Sequence, residues 1–308
     1  MTNKIKYSYV CSLIVSVVIA IAASALRASV LLTAFDDATG GFDPTPLYDA
    51  FLILLAVTVL LVILPLVLLR TMNNVTVVYD DIPTVFASAF MLVSLVMYVI
   101  HTAIETANET HAGTSALVFS LLSAVLALAS CTYFITVLLT KKPSNSTRSV
   151  FAVLNVLFAC VFAIFLYTEN QFFITSPVKA LHIVSAVMIA LFFVGECRIC
   201  LDRTIWNLYL CVAFPAFIIT ACDAVSCLVY IPVKTSEEIG ASAYCFLILA
   251  YSLYILCRLI SIYLSNCKNA KGLLAVFDAS TSRKSNTEPL DSEQLSMDID
   301  SASGKAEE

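Results

Sequence analysis

Charged side chains are scarce in this chain: 13% of its 308 residues are charged and 60% are hydrophobic. In soluble domains roughly a quarter of the residues are charged, so a water-exposed globular fold is excluded. There is no basic excess, since the formal net charge is −5, and a nucleic-acid partner is not predicted. Most of the 11 cysteines fall inside apolar runs, where a thiol behaves as a small hydrophobe. The disulfide framework of a secreted protein is therefore not indicated.

Apolar runs, each about long enough to cross a bilayer, fill the chain up to Leu264. A hydrocarbon layer of about 30 Å needs about 20 helical residues. Helices are expected because an open sheet edge in lipid leaves backbone groups unpaired. The sequence predicts an all-α, polytopic integral membrane helical bundle of about eight transmembrane helices. The predicted spans lie near 9–32, 47–69, 82–104, 114–140, 148–168, 177–200, 205–231 and 241–264.

Basic residues set the orientation of such a bundle, because cytoplasmic loops carry an excess of Lys and Arg. With a cytoplasmic N-terminus, only Arg27, Lys179 and Lys234 fall on the outer side. The inner side then receives the remaining basic residues: Lys4, Lys6, Arg70, Lys141, Lys142, Arg148, Arg198, Arg203, Arg258, Lys268, Lys271, Arg283, Lys284 and Lys305. Both termini are therefore predicted to be cytoplasmic, and the membrane is expected to be the plasma membrane.

The chain divides by composition into two parts. Residues 1–264 form the predicted bundle, and residues 265–308 form a predicted disordered, acidic and polar cytoplasmic tail. An alternative concerns the first span, because Ala23 and Ala25 flank Ser24 in the small-x-small form of a signal cleavage site. A retained first helix is the leading interpretation, since apolar residues continue well past that site.

Ionisable side chains inside lipid cost about 2.5 to 3.5 kcal/mol on insertion scales, so each needs a partner, a water-filled cavity or a route to the interface. Asp223 is the clearest case, in the outer half of the seventh span. At similar depth lie Arg27, His101, Glu105 and His182. If their helices are neighbours, this outer set would line a cavity for a small polar ligand or an ion. The alternative is that Arg27 and His182 reach toward the lipid headgroups.

Two further patterns bear on the outer side. His101 and Glu105 lie one turn apart, a spacing that metal sites use, but three or four ligands must converge and no metal site is predicted. Thr220 and Ser226 lie three residues either side of Asp223 on one face of the seventh span, which favours a polar pocket around that carboxylate.

The inner side also carries buried candidates. A dense charged turn joins the sixth and seventh spans through Glu196, Arg198, Asp202 and Arg203, which can pair locally. Arg258, in the last span, either reaches the inner interface or bonds to Asn155 in the fifth span.

Aromatic and cysteine residues flank the charged turn. Cys197 and Cys200 have a spacing found in redox and zinc motifs, but no second pair accompanies them, so a structural role is favoured. Trp206 and Tyr209 are expected to anchor the seventh helix at the membrane interface.

The usual signatures of membrane hydrolases and ATP-driven pumps are missing, and the sequence predicts no catalytic residue and no cofactor. The leading interpretation is a sensory, accessory or interaction protein with a small-ligand cavity in the outer half and a tail that engages a cytoplasmic protein. The alternative is a secondary transporter of an ion or small polar solute, although few glycines are available to break its helices. An intramembrane enzyme is the third choice.

Overall fold

The structure, a computed structural model, describes residues 3–36, 41–42, 46–56, 81–108, 114–139, 144–168, 176–234 and 239–266. These ranges are almost wholly helical. The helices are α1 (Asn3–Ala34), α2 (Pro46–Ala56), α3 (Ile82–Ala107), α4 (Thr114–Leu138), α5 (Asn145–Thr168), α6 (Pro177–Cys200), α7 (Trp206–Lys234) and α8 (Ile239–Ser265). A two-residue antiparallel pair, Phe35–Asp36 with Gly41–Phe42, follows α1 and was not predicted.

The outer surface of the helices is apolar. Within the described ranges, 7 helices are long and apolar enough to cross a membrane. Large apolar side chains point outward from them, for example Ile21 at 65% exposure and Val125 at 63%. Such a surface is stable against lipid and unfavourable in water. The chain is a multi-pass membrane protein, and the predicted helical bundle is confirmed.

One predicted span is described only in part. The span 47–69 begins as α2, which ends at Ala56, and its remainder, 57–69, lies outside the described residues. By the contacts between its residues, the chain divides into two compact units, Met1–Tyr263 and Leu264–Glu308. The second unit is described only at residues 264–266, so the disorder predicted for 265–308 stays a prediction.

Polar caps determine where several helices begin and end. The Ser176 hydroxyl accepts from the Val178 N–H at 3.3 Å at the start of α6. The Ser144 hydroxyl accepts from the Thr147 N–H at 3.2 Å, so α5 begins three residues before the predicted span. Between α6 and α7, Asp202 takes a left-handed backbone conformation with φ 54°, which Asp tolerates in a turn.

Helices α7 and α8 form the centre of the bundle. In their apolar windows 78% and 72% of the residues are buried, against 33% in α1. Helix α7 packs against α1 and α6, and α6 against α5. Aromatic rings fill much of the centre, as where Tyr251 of α8 meets Phe158 of α5 and Phe193 of α6. Polar groups on α7 and α8 are therefore enclosed by protein rather than by lipid.

Contacts between helix ends define the two ends of the bundle. Near the start of α1, the Tyr9 hydroxyl donates to the Leu259 carbonyl, near the end of α8, at 2.8 Å. We call this end of the bundle the inner end. The opposite, outer end holds Arg27, His182 and Asp223. Helix α1 begins and α8 ends at the same end of the bundle, as the predicted orientation requires. Which side of the membrane that end faces stays a prediction.

Helix α3 has the same direction in the bundle as helix α1. Helix α1 runs from the inner to the outer end. Asp81, just before α3, lies near Cys257, beside Arg258 late in α8, so α3 starts at the inner end. Helices α1 and α3 therefore begin at the same end of the bundle.

Candidate functional site

Asp223 forms the centre of a buried polar group at the outer end. Its carboxylate, fully buried on α7, accepts a hydrogen bond from the Nδ1–H of His182 on α6 at 2.9 Å. Nη2 of Arg27 on α1 lies 3.6 Å from Oδ1 of the same carboxylate. Arg27 is 3% exposed and His182 is 7% exposed. Asp223 is thus held between two cationic or donor groups from two other helices.

Two thiols extend this group toward α8. Cys227 lies four residues after Asp223, on the same face of α7, and its Sγ is 4.0 Å from Nε2 of His182. The Cys245 thiol of α8 contacts Cys227. We call Arg27, His182, Asp223, Cys227 and Cys245 the outer cluster. Apolar side chains of Leu31 and Val178 pack against its two thiols.

The outer cluster has hydrogen-bonding capacity that the described residues do not fill. Nε and Nη2 of Arg27 and Oδ1 of Asp223 make no hydrogen bond within the described part of the chain. Nη2 of Arg27 and Oδ1 of Asp223 are 3.6 Å apart, which makes an ion pair but is too long for a hydrogen bond. Buried polar groups are normally satisfied, and unfilled ones indicate a water, an ion or a functional role.

Thr220 and Ser226 do not complete a pocket around Asp223. The Thr220 hydroxyl donates to the Ala216 carbonyl at 2.7 Å, and the Ser226 hydroxyl donates to the Asp223 carbonyl at 3.1 Å. Both hydroxyls are thus used within α7. Ser185 of α6 instead faces the Asp223 carboxylate, three residues after His182.

His101 and Glu105, the other two members of the predicted outer set, form a separate group. Nε2 of His101 lies 3.2 Å from Oε1 of Glu105. The Tyr244 hydroxyl of α8 donates to Oε2 of the same carboxylate at 2.8 Å. The structure therefore divides the predicted set into two groups, which meet different neighbouring residues of α8, Tyr244 and Cys245.

A second buried ion pair lies at the inner end. Glu196 of α6 accepts hydrogen bonds from Nε and Nη2 of Arg258 of α8 at 3.3 and 3.2 Å. It also accepts from the Tyr209 hydroxyl at 2.6 Å and the Tyr133 hydroxyl at 3.1 Å. The Tyr254 hydroxyl donates to the Tyr133 oxygen at 3.3 Å. We call these five residues the inner cluster.

The inner cluster corrects the predicted pairings. Arg258 bonds to Glu196 and not to Asn155, because Asn155 meets α8 about two turns earlier, at Tyr251. Asn155 instead accepts from the Tyr251 hydroxyl at 3.2 Å. Arg198, predicted to pair locally through its charge, directs Nε at the Arg203 carbonyl at 3.4 Å.

The prediction for Tyr209 was also wrong. It is 4% exposed and bonded to Glu196, so it does not anchor α7 at the interface. Gly195 permits this position, because a Cβ there would lie 2.7 Å from Cδ2 of the Tyr209 ring. Nearby, the Cys197 thiol donates to the Ser149 carbonyl at 3.7 Å, which fits a structural role.

Several functional candidates were missed from the sequence. Cys227 could have been found from its four-residue spacing to Asp223, which puts both on one helical face. Tyr254 has the same four-residue spacing to Arg258 on α8. Cys245 and Tyr133 had no such signal, because they reach their clusters from other helices.

No family model, curated protein or solved structure matches this chain. The site is therefore interpreted from its own geometry. The outer cluster combines a carboxylate, an imidazole, a guanidinium and two thiols in a buried setting, a set suited to binding an ion or a small polar group.

Proposed function

We propose that this protein is a membrane sensory or interaction protein, in which a small ligand or ion acts at the outer cluster. The observation that carries this proposal is the unfilled hydrogen-bonding capacity of Arg27 and Asp223 in a buried setting. Ionisable groups enclosed within a membrane bundle are costly, and they mark functional sites by default.

The arrangement of helices supports transmission from the outer to the inner end. Helices α6, α7 and α8 supply His182, Asp223 and Cys245 to the outer cluster. The same helices supply Glu196, Tyr209 and Arg258 to the inner cluster. A ligand that moves these helices at one end changes their packing at the other, because packed helices move as rigid elements. The tail after α8 would then present the change to a cytoplasmic partner.

The test compares two single substitutions on α7. Asp223→Asn keeps the size of the side chain and removes its charge. Thr220→Val is the matched control, because it alters a buried hydroxyl on the same helix that bonds within that helix. We expect Asp223→Asn, and not Thr220→Val, to change hydrogen exchange at the inner end, in residues 196–209. Equal exchange in both variants would contradict the proposed transmission.

A secondary transporter is the second candidate. It is favoured by the row of ionisable groups from Arg27 through Asp223 to His182 and by Pro215 inside α7, which can bend that helix. A carrier would collapse an ion gradient across reconstituted vesicles, and Asp223→Asn would abolish the flux. The sensory proposal expects no flux above that of empty vesicles, together with loss of a cytoplasmic partner when residues 268–308 are deleted.

A further inference from the structure

We infer that the outer cluster holds a Zn²⁺ ion, bound by Nε2 of His182 and the thiolates of Cys227 and Cys245. This inference rests on the proposed function in that it names the chemistry of a ligand at the same cluster.

Two of the three donor atoms already lie close together, and the third, the Cys245 thiol, packs with Cys227. His182, Asp223 and Cys227 each offer one ligand atom, and these atoms lie within 4.8 Å of one another. Nε2 of His182 and Sγ of Cys227 are 4.0 Å apart. A zinc ion with a nitrogen at about 2.0 Å and a sulfur at about 2.3 Å separates those two atoms by about 3.5 to 3.8 Å. A small inward shift of these two atoms would therefore create their bonding distances, and the Cys245 thiol would turn toward the ion from its position beside Cys227.

Asp223 orients the imidazole for this purpose. Its carboxylate accepts from Nδ1–H at 2.9 Å, which leaves Nε2 directed at the thiol. Metal-binding histidines commonly donate their second N–H to a carboxylate in this manner. Arg27 in turn lies against the other carboxylate oxygen, at 3.6 Å. Asp223 is thus a positioning residue, and the fourth position of a tetrahedral zinc is left for a water or an external ligand.

The occupied site would carry no net charge. Zn²⁺ with two thiolates and a neutral imidazole sums to zero, and the Asp223 carboxylate is balanced by the Arg27 guanidinium. Neutrality matters here because an uncompensated charge is costly within a membrane bundle. Zinc binding releases two protons to solvent. The number is the same whether the empty site holds two thiols and a neutral imidazole or one thiol, one thiolate and an imidazolium.

The test uses the purified full chain in detergent, stripped of metal by a chelator and then titrated with Zn²⁺. We expect about one tightly bound zinc per chain, and loss of that zinc in Cys227→Ser and Cys245→Ser. Cys222→Ser is the matched control, because Cys222 is also a buried thiol of α7 and packs with Ala23 and Phe51 instead. Asp223→Asn should weaken zinc binding about 10- to 100-fold.

Two results would overturn the inference. The first is zinc binding by Cys227→Ser that equals that of the unaltered chain. The second needs no variant: Co²⁺ added to the unaltered chain should give a thiolate-to-metal charge-transfer band, and its absence would exclude thiolate ligation. Zinc binding with unchanged exchange at the inner end would contradict the proposed function alone. Altered exchange in Asp223→Asn without metal binding would contradict the zinc assignment alone.

Discussion

The two buried ion pairs of this bundle use the same kinds of side chain and differ in how fully they are satisfied. At the inner end, Glu196 accepts from Arg258, Tyr133 and Tyr209 at 2.6 to 3.3 Å. At the outer end, Arg27 approaches Asp223 only to 3.6 Å, without a hydrogen bond. A buried network in which every polar group has a hydrogen-bond partner rigidifies a core. A network with unfilled hydrogen-bonding capacity can still bind a water, an ion or a ligand. The comparison suggests a fixed inner end and a responsive outer end.

The largest expected effect tests the fixed character of the inner end. Glu196→Leu should destabilise the bundle by about 3 to 5 kcal/mol, because the buried Arg258 guanidinium would lose its carboxylate partner. Thermal unfolding in detergent measures this loss. The double variant Glu196→Leu with Arg258→Met should recover most of it, since it removes both charges. If Glu196→Leu alone proved as stable as the unaltered protein, the role assigned to the pair of Glu196 and Arg258 would be refuted.

The next effect concerns the packing that holds Tyr209 against Glu196. Gly195→Ala places a Cβ 2.7 Å from the Tyr209 ring, so helix α6 or the ring must move. Overpacking of this kind costs about 1 to 3 kcal/mol. Tyr209→Ala in the Gly195→Ala background should remove the added clash, so the two substitutions should be non-additive in unfolding experiments. Additive losses would show that Gly195 matters for another reason.

A smaller effect is expected at the outer end. Asp223→Asn should cost about 1 to 2 kcal/mol, the lower part of the range for leaving one buried polar group unsatisfied. Its amide oxygen still accepts from His182, and Arg27, near the end of α1, can turn toward the headgroups. Thermal unfolding of Asp223→Asn and Glu196→Leu under the same conditions compares the two losses of stability directly. If Asp223→Asn proved equally damaging, the two clusters would not differ in the way proposed.

The smallest effect belongs to the outer rim, where His101 and Glu105 are 14% and 12% exposed. His101→Gln should change stability by only about 0.5 kcal/mol, because a contact between side chains one turn apart on a helix contributes little and Glu105 keeps its bond from Tyr244. A loss approaching that of Asp223→Asn would place the His101 pair in the same functional group as the outer cluster.

The helical spans followed directly from the sequence. The predicted span 177–200 coincides with α6, and 114–140 extends two residues beyond α4. The first span, predicted from residue 9, begins at Asn3 because a helix continues through polar residues that hydropathy leaves out. Hydropathy locates the apolar stretch, whereas caps such as Ser144 and Ser176 set the helix ends.

The candidate site was predictable only in part. Arg27, His182 and Asp223 were recognised as outer-half groups because lipid does not tolerate them without partners. His101 and Glu105 were grouped with them by depth alone, and depth does not tell which helices are neighbours. The same ambiguity led to Asn155 as a partner for Arg258.

The amino-acid sequence by itself determined that this is a helical membrane protein, where its spans lie and which of their side chains are costly in lipid. Only the tertiary structure decided that Glu196 meets Arg258, 62 residues away along the chain, and that Cys245 meets Cys227, whose thiol lies beside His182. The reason is physical. Lipid is as apolar as the protein core, so the hydropathy of a span does not fix which face of a helix meets which neighbour; packing and polar contacts do.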